Sequence, residues 1–520
     1  MVSKLLAFAA GALLPACQSQ GEVRLDLHYP DSQDLAPITA DIGQVTLVTY
    51  GPDEAPVAET RQLLDAGEPL DMGRIAVGDG MTLALQLRAP NQRLLAYGRS
   101  PDALDVAADQ VITVPVLVRK PYAYLTGHTR LAAFDTTRDA TASTAYRGWL
   151  NLSRAPVVAA STQDGAFLVV LSADGVGSQM TLLSTSTHTE AAVPPVPLPA
   201  PAVGVAVSPD SRWVVVGHNG GGGGVSIIDL VAAAQGTSDV QMVAAGNVGE
   251  VAIGDRSALP RAVALLDRAD AGCTGSSSLA VIDLEARTVG KTIPLGSAVR
   301  DLALSGDGRT AVVATCGGEL RAVAIDEDVN PNVMLTQLVG ASAVAVFDDR
   351  VWGVGAQPPG GGKTRRLLLV SIALDGSGET RLELPPAQER AQSTDFSADG
   401  QSAEQRMDAD ALDAYDLALV PGADEVAILT TAYYHASEVG DFLGAPIIPE
   451  MTLTAYEYLL VEASSNAVVQ RVRTACELDW VSDPFNPPVL DSWVCTQAAG
   501  QDVSEEPYHP RQVSILYGTR

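Results

Sequence analysis

Two stretches of this chain repeat each other. One reads Val205-Ala206-Val207-Ser208-Pro209-Asp210-Ser211-Arg212-Trp213-Val214-Val215-Val216, the other Leu302-Ala303-Leu304-Ser305-Gly306-Asp307-Gly308-Arg309-Thr310-Ala311-Val312-Val313. Each is an apolar run, a short polar turn and a second apolar run. The turn residues are the types that supply the required φ values and bond their own backbone. A third run ending in Asp follows each, at Ile227-Ile228-Asp229 and Ala324-Ile325-Asp326, so Ser208 to Asp229 and Ser305 to Asp326 both span 21 residues. A short strand unit recurring at a fixed offset cannot bury both its faces alone and must stack on its neighbours. Related third-strand endings occur at Phe134-Asp135, Ile282-Asp283 and Leu374-Asp375. Related first strands begin at Pro260-Arg261-Ala262-Val263, Val299-Arg300-Asp301-Leu302 and Pro510-Arg511-Gln512-Val513. First strands are therefore expected near residues 155, 202, 260, 299, 341 and 414, with one more at the C-terminus. The unit that opens at Tyr122 lacks an inner strand, and Val513–Tyr517 would supply it, leaving no open strand edge.

The Ser-Pro-Asp turn between first and second strands resembles that of the YVTN and lactonase-like β-propellers. The resemblance implies an all-β chain with a roughly seven-bladed propeller over 119–520, closed by the C-terminal strand. Two insertions are expected within it, a polar acidic one at 386–412 and a Pro- and Trp-containing one at 475–510. Propellers host many unrelated activities, so the resemblance speaks for fold and little for function.

Ahead of the repeats, residues 18–118 read as a separate small domain. Val23, Leu25 and Leu27 alternate with polar neighbours, as do Met81, Leu83, Leu85 and Leu87, and again Ile112, Val114, Val116 and Val118. That period of two marks half-buried strands. Turns such as Gly51-Pro52-Asp53 and Ala89-Pro90-Asn91 separate them, and about seven short strands in this length fit an Ig-like β-sandwich.

The chain opens Met1-Val2-Ser3-Lys4, continues in the apolar run Leu5–Leu14 and reaches Leu14-Pro15-Ala16-Cys17. A basic residue, a short apolar run and a small residue form a signal peptide too short to span a bilayer as a helix. Cys17 at its end resembles the lipobox of bacterial lipoproteins, although Pro15 departs from the usual small or aliphatic residue. The resemblance implies cleavage before Cys17, its acylation and a membrane anchor, over a segment 1–17. Gln18, where inner-membrane lipoproteins carry Asp, points to the outer membrane. Export permits disulfides. The four remaining cysteines allow three pairings, of which Cys476–Cys495 and Cys273–Cys316 are expected. Cys273 falls between the first and second strands of one unit and Cys316 at the end of a second strand in the next, on loops that could lie at opposite faces.

The formal net charge is −29, and the only lysines are Lys4, Lys120, Lys291 and Lys363. With no basic stripe, nucleic acid is excluded as a partner. His128, His218 and His435 each follow a second strand. Loops in that position share one propeller face, where three imidazoles could hold a divalent metal ion; otherwise each is an ordinary loop residue. Asp408, Asp410, Asp413 and Asp416 are oxygen-rich but lack the Gly and terminal Glu of an EF-hand loop and read as a solvated acidic loop. Gly360-Gly361-Gly362-Lys363-Thr364 lacks the first glycine of a phosphate loop and precedes a strand. No G-x-S-x-G, H-E-x-x-H or triad pattern occurs, and no catalytic residue or cofactor is assigned. The expected function is a non-enzymatic binding or scaffold module of the cell envelope, for a protein or glycan partner. The alternative is a lactonase-like or other hydrolase with its site at the channel mouth, with or without a divalent metal ion.

Overall fold

The computed structural model describes residues 20–516, apart from 29–41, 52–55, 64–73, 136–145, 255–260, 327–331, 358–365, 385–388, 394–402, 421–424, 437–450, 463–466, 481–509 and turns of one to three residues. The described chain is all-β, with one short helix, Leu230–Ala234, capped by the Asp229 side chain.

The N-terminal region forms one hydrogen-bonded path. Its order is Pro56–Leu63, Gln44–Tyr50, Gly78–Arg88, Leu94–Arg99, Val111–Arg119, Gln20–His28 and Arg74–Ala76, with Leu104–Val106 on the flank of Gly78–Arg88. The pairing of Gln20–His28 with Val111–Arg119 is parallel; every other pairing described in this sheet is antiparallel. The two end strands of the path touch. The inward faces therefore meet around one core, which holds Leu47, Leu83, Leu85, Leu87, Val114, Val116 and Val118. The alternation read at Met81–Leu87 and at Ile112–Val118 is the alternation that fills it.

Seven antiparallel sheets follow. Sheet I orders Pro510–Leu516, Tyr122–Gly127, Leu131–Asp135 and Tyr146–Leu150. Sheet II runs Pro156–Ser161, Phe167–Asp174 and Gly177–Ser184, with Thr189–Glu190 and Val196–Leu198 on its outer edge. Sheet III is Ala202–Val207, Trp213–His218, Gly224–Asp229 and Val240–Ala244. Sheet IV is Val248–Ile253, Arg261–Leu266, Ser278–Asp283 and Thr288–Pro294. Sheet V is Val299–Leu304, Thr310–Thr315, Glu319–Ala324 and Asn332–Gln337. Sheet VI is Ala341–Phe347, Arg350–Gln357, Arg366–Ala373 and Thr380–Leu384. Sheet VII is Ala409–Val420, Glu425–Ala436, Met451–Glu462 and Ala467–Trp480. The first strand of each sheet touches the first strand of the next, and Pro510–Leu516 touches both Ala409–Val420 and Pro156–Ser161, so the contacts run in a cycle.

The repeated turns are atomically alike. Ser208 Oγ accepts from Trp213 N at 2.7 Å and donates to Asp210 Oδ1 at 2.5 Å, while Asp210 Oδ1 also accepts from Arg212 N at 3.0 Å. Ser305, Asp307, Arg309 and Thr310 make the same three bonds at 2.9, 2.6 and 3.0 Å. The turn at Thr162 shares one of these bonds, its Oγ1 accepting from Phe167 N at 3.0 Å. Each turn needs one left-handed residue: Gly308 has φ 71°, and Ser211 carries φ 54° despite its Cβ.

Several expectations shift. Arg261–Leu266 is the second strand of its sheet, not a first strand near 260, because Val248–Ile253 precedes it. The last sheet begins at Ala409 rather than 414, and within 386–412 Glu389–Ser393 pairs with Ala403–Met407 in a two-stranded hairpin. The second insertion starts later than 475, since Ala467–Trp480 is one strand. Pro510–Leu516 does pair with Tyr122–Gly127.

Candidate functional site

All seven first strands carry a β-bulge at the same register position. The pairing shifts between Pro156 and Val158, Ala202 and Gly204, Val248 and Glu250, Val299 and Asp301, Ala341 and Ala343, Ala414 and Asp416, and Pro510 and Gln512. A bulge inserts one residue and re-aims the next side chain. The residues after the bulge are therefore equivalent: Val158, Gly204, Glu250, Asp301, Ala343, Asp416 and Gln512. Three are carboxylates, and sheets IV and V place two of them on adjacent strands.

Glu250 and Asp301 share a hydrogen bond, and Asp301 Oδ2 accepts from Val344 N of the next first strand at 2.6 Å. Asp301 is 8% exposed. The Glu250 side chain keeps 26% exposure, but its Oε2 is enclosed. Arg268, beyond the second strand of sheet IV, brings Nη1 to 3.9 Å from that oxygen. Its Nε donates to Arg300 O at 2.5 Å. Gly249 makes room for it: a Cβ there would lie 2.2 Å from Arg268 Cβ.

Burial, chiefly, and then the charge of Asp301 push the Glu250 carboxyl well above its ordinary value. Burial also raises Asp301, against the opposing effects of the Glu250 hydrogen bond, Arg268 and the Val344 amide. The charge of Asp416 acts on Glu250 and Arg268 as well. Glu250 is thus biased toward its protonated form beside Asp301, with a cation and a third carboxylate near the pair. Chemically such a group can donate a proton or receive a cationic moiety.

A second buried pair is internal to sheet VII. Glu457, with a side chain 1% exposed, bonds Arg471 Nη1 at 2.9 Å. Its carboxyl is raised by burial and drawn back by Arg471. It lies where the sheet lengthens. Beyond Thr430 the strands continue through Ala436, and Ala436 pairs with Met451, itself opposite Trp480. This four-stranded extension rises from the end that carries the bulges.

The three histidines divide. His218 is fully buried; its Nδ1 lies 3.0 Å from Ala200 O and 3.3 Å from Pro201 O, and its Nε2 2.7 Å from Ser226 Oγ. Burial lowers its pKa, keeping the ring neutral. Both nitrogens are engaged, one by Ser226 of its own sheet and the other by carbonyls of the two residues that lead into that sheet. The residue at its level in sheet VII is Thr430, since each pairs just before the bulge. His435 is exposed and lies five residues farther up the extension, about 16 Å at strand rise. The second-strand position is shared, but the extension separates the levels. His128 lies outside the described residues. Among the described residues no group of three His, Cys, Asp or Glu is arranged to hold a metal ion. Of the acidic run, Asp416 belongs to the bulge level, Asp410 and Asp413 lie in the extended first strand, and Asp408 is outside the described residues. Gly360 to Thr364 and Cys17 also lie outside them.

Cys273 and Cys316 are bridged, with Cα atoms 5.8 Å apart. With Arg261–Leu266 as a second strand, Cys273 follows the second strand of sheet IV and Cys316 that of sheet V. The two loops therefore share one end, correcting the expectation of opposite faces. Cys476 lies in the last strand of sheet VII, while its expected partner Cys495 is outside the described residues. Sequence reasoning missed the Glu250–Asp301 pair. Its signal was present in Val248-Gly249-Glu250 and Val299-Arg300-Asp301, the same pattern at the start of two successive units.

No family model matches the sequence, and no curated protein matches it. Among solved structures, the chain is similar to a functionally unknown protein from Desulfotomaculum acetoxidans, at 13% identity and TM-score 0.44, over 67% of this chain and 94% of that one. It is also similar to hydrazine synthase of Kuenenia stuttgartiensis, at 15% identity and TM-score 0.32, over 59% of this chain and 70% of that one.

Proposed function

We propose that the chain is an exported lipoprotein, acylated at Cys17, whose residues 119–520 form a seven-bladed β-propeller serving as a non-enzymatic binding module for an envelope protein or glycan. The observation that carries this is the common bulge in seven first strands whose contacts run in a cycle. Sheets so arranged leave one end for a ligand, and here that end gathers Glu250, Asp301, Asp416 and Arg268 with the extension of sheet VII beside them. A partner presenting a cationic group suits that charge. The N-terminal sheet then spaces the propeller from the membrane. Photo-cross-linkers placed at His435 on that end and at Asp307 on the opposite end test the reading in cells. A discrete envelope partner is expected from His435 alone, and equal or empty capture from both ends overturns it. Metabolic labelling with a fatty acid, abolished by Cys17→Ser, tests the anchor.

A hydrolase is the second reading, favoured by the enclosed Glu250 carboxyl beside Asp301, which burial biases toward the protonated form of a general acid. Turnover of lactones by the mature chain, lost in Glu250→Gln, would establish it. The metal-dependent version has less support, because both His218 nitrogens face partners in Ala200, Pro201 and Ser226.

A further inference from the structure

The bulges insert one extra residue into each first strand, and in sheet V that residue is Arg300. Its guanidinium Nη2 lies 3.2 Å from Cys273 Sγ, one of the two sulfurs that bind sheet IV to sheet V. Around this contact the loop of sheet IV grips the start of the sheet V strand without help from the sulfurs. Ala269 N donates to Val299 O at 2.8 Å, Ser277 N to Ser297 O at 3.0 Å and Val299 N to Ser277 Oγ at 3.1 Å. Ser277 Oγ in turn donates to Asp267 O at 2.8 Å. Cys316 N donates to Ala298 O at 2.9 Å.

We propose that Cys273–Cys316 is a redox-responsive latch, with Arg300 placed to receive the Cys273 thiolate when a dithiol reductant opens it. The reductant's thiolate attacks Cys316 Sγ and the protein S–S bond breaks. The electron pair leaves on Cys273 Sγ, beside the guanidinium. The reductant's second thiol then displaces Cys316, giving a cyclic disulfide of the reductant and two reduced protein cysteines. A leaving sulfur with a cation beside it departs more readily, and a stabilised thiolate shifts the equilibrium toward reduction. The charge-assisted bond exists only in the reduced state at full strength, so it distinguishes the two states instead of stabilising both equally. The backbone grip keeps the sulfurs close after opening, so the latch can close again. Arg300 also holds Arg268 through its carbonyl, so the latch adjoins the Glu250–Asp301 pair.

The test is an equilibrium with graded ratios of reduced and oxidised dithiothreitol, read by peptide-resolved thiol labelling of the full chain so that Cys273 and Cys316 are scored apart from the other cysteines. Arg300→Gln is expected to make the bridge about tenfold harder to reduce, and Arg300→Lys to recover part of that. In the reduced wild-type chain, Cys273 should be alkylated at a lower pH than Cys316, and 1 M salt should narrow the difference. Equal reduction equilibria in wild type and Arg300→Gln overturn the proposal. So does an ordinary, salt-insensitive pH dependence of Cys273 alkylation in the wild type, a measurement that stands even where Arg300→Gln does not fold.

Discussion

The seam between sheets II and III and the seam between sheets IV and V are built on the same apolar plan and finished differently. The first is packed by Leu171, Leu182, Val205, Val214 and Ile228, among others, the second by Leu265, Leu279, Leu302, Val313 and Val323. At the level of the bulge the first offers Val158 and Gly204. The second offers Glu250 and Asp301, with Arg268 and the disulfide above them. Apolar packing alone is enough to join two of these sheets, so the polar additions at the second seam are not required by the fold. Buried charge is costly unless paired, and at the second seam Asp301 is paired with the Val344 amide.

Truncating matched core residues tests the shared part. Leu171→Ala and Leu265→Ala, both fully buried, should each cost about 2–5 kcal/mol in urea unfolding. Similar losses uphold the common plan, while a much smaller loss at Leu265 would mean that the polar additions carry that seam. Opening the bridge tests the added part. Cys316→Ser, which frees a loop of sequence separation 43, should lower stability by about 2–4 kcal/mol, with no counterpart at the other seam.

The carboxyl pair gives the next effect. Both pKa values are raised in the folded chain, so it holds protons that the unfolded chain, with ordinary carboxyls near 4, has released. This stabilisation is complete below the ordinary value and is lost as pH rises through the folded values. Stability should fall with rising pH by up to about 1.4 kcal/mol per pH unit for each proton released. Glu250→Gln should flatten that slope; an unchanged slope would remove the pair from the account. The smallest effect compares the turns of sheets III and V. Gly308→Ser should destabilise and Ser211→Gly stabilise, each by about 0.5–1 kcal/mol, since one adds and the other removes a Cβ at positive φ.

What the sequence disclosed follows the range of each interaction. The turns at Ser208 and Ser305 were legible because their bonds run between residues two to five apart. The C-terminal strand was legible because the unit at Tyr122 lacked a partner. Val248–Ile253 was not: it has no Ser-Pro-Asp turn after it, so in the sequence the unit reads as opening at Arg261, which also moves Cys273 to the wrong loop. Glu250 and Asp301 meet only through the register of two sheets, which alternation does not encode. His435 looked equivalent to His218 because both end a second strand; the lengthening of sheet VII is a matter of pairing and left no mark in spacing.

The pairing of Pro510–Leu516 with Tyr122–Gly127 sets an order of assembly. Sheets II to VII can each form from contiguous chain as it emerges. Sheet I must wait for Pro510–Leu516 to be synthesised, and until then Tyr122–Gly127 presents an unpaired backbone edge of the kind that recruits other strands. A nascent chain paused before residue 510 would carry sheets II to VII yet be open at one side, so the interval between sheet VII and Pro510–Leu516 is when it most needs a chaperone.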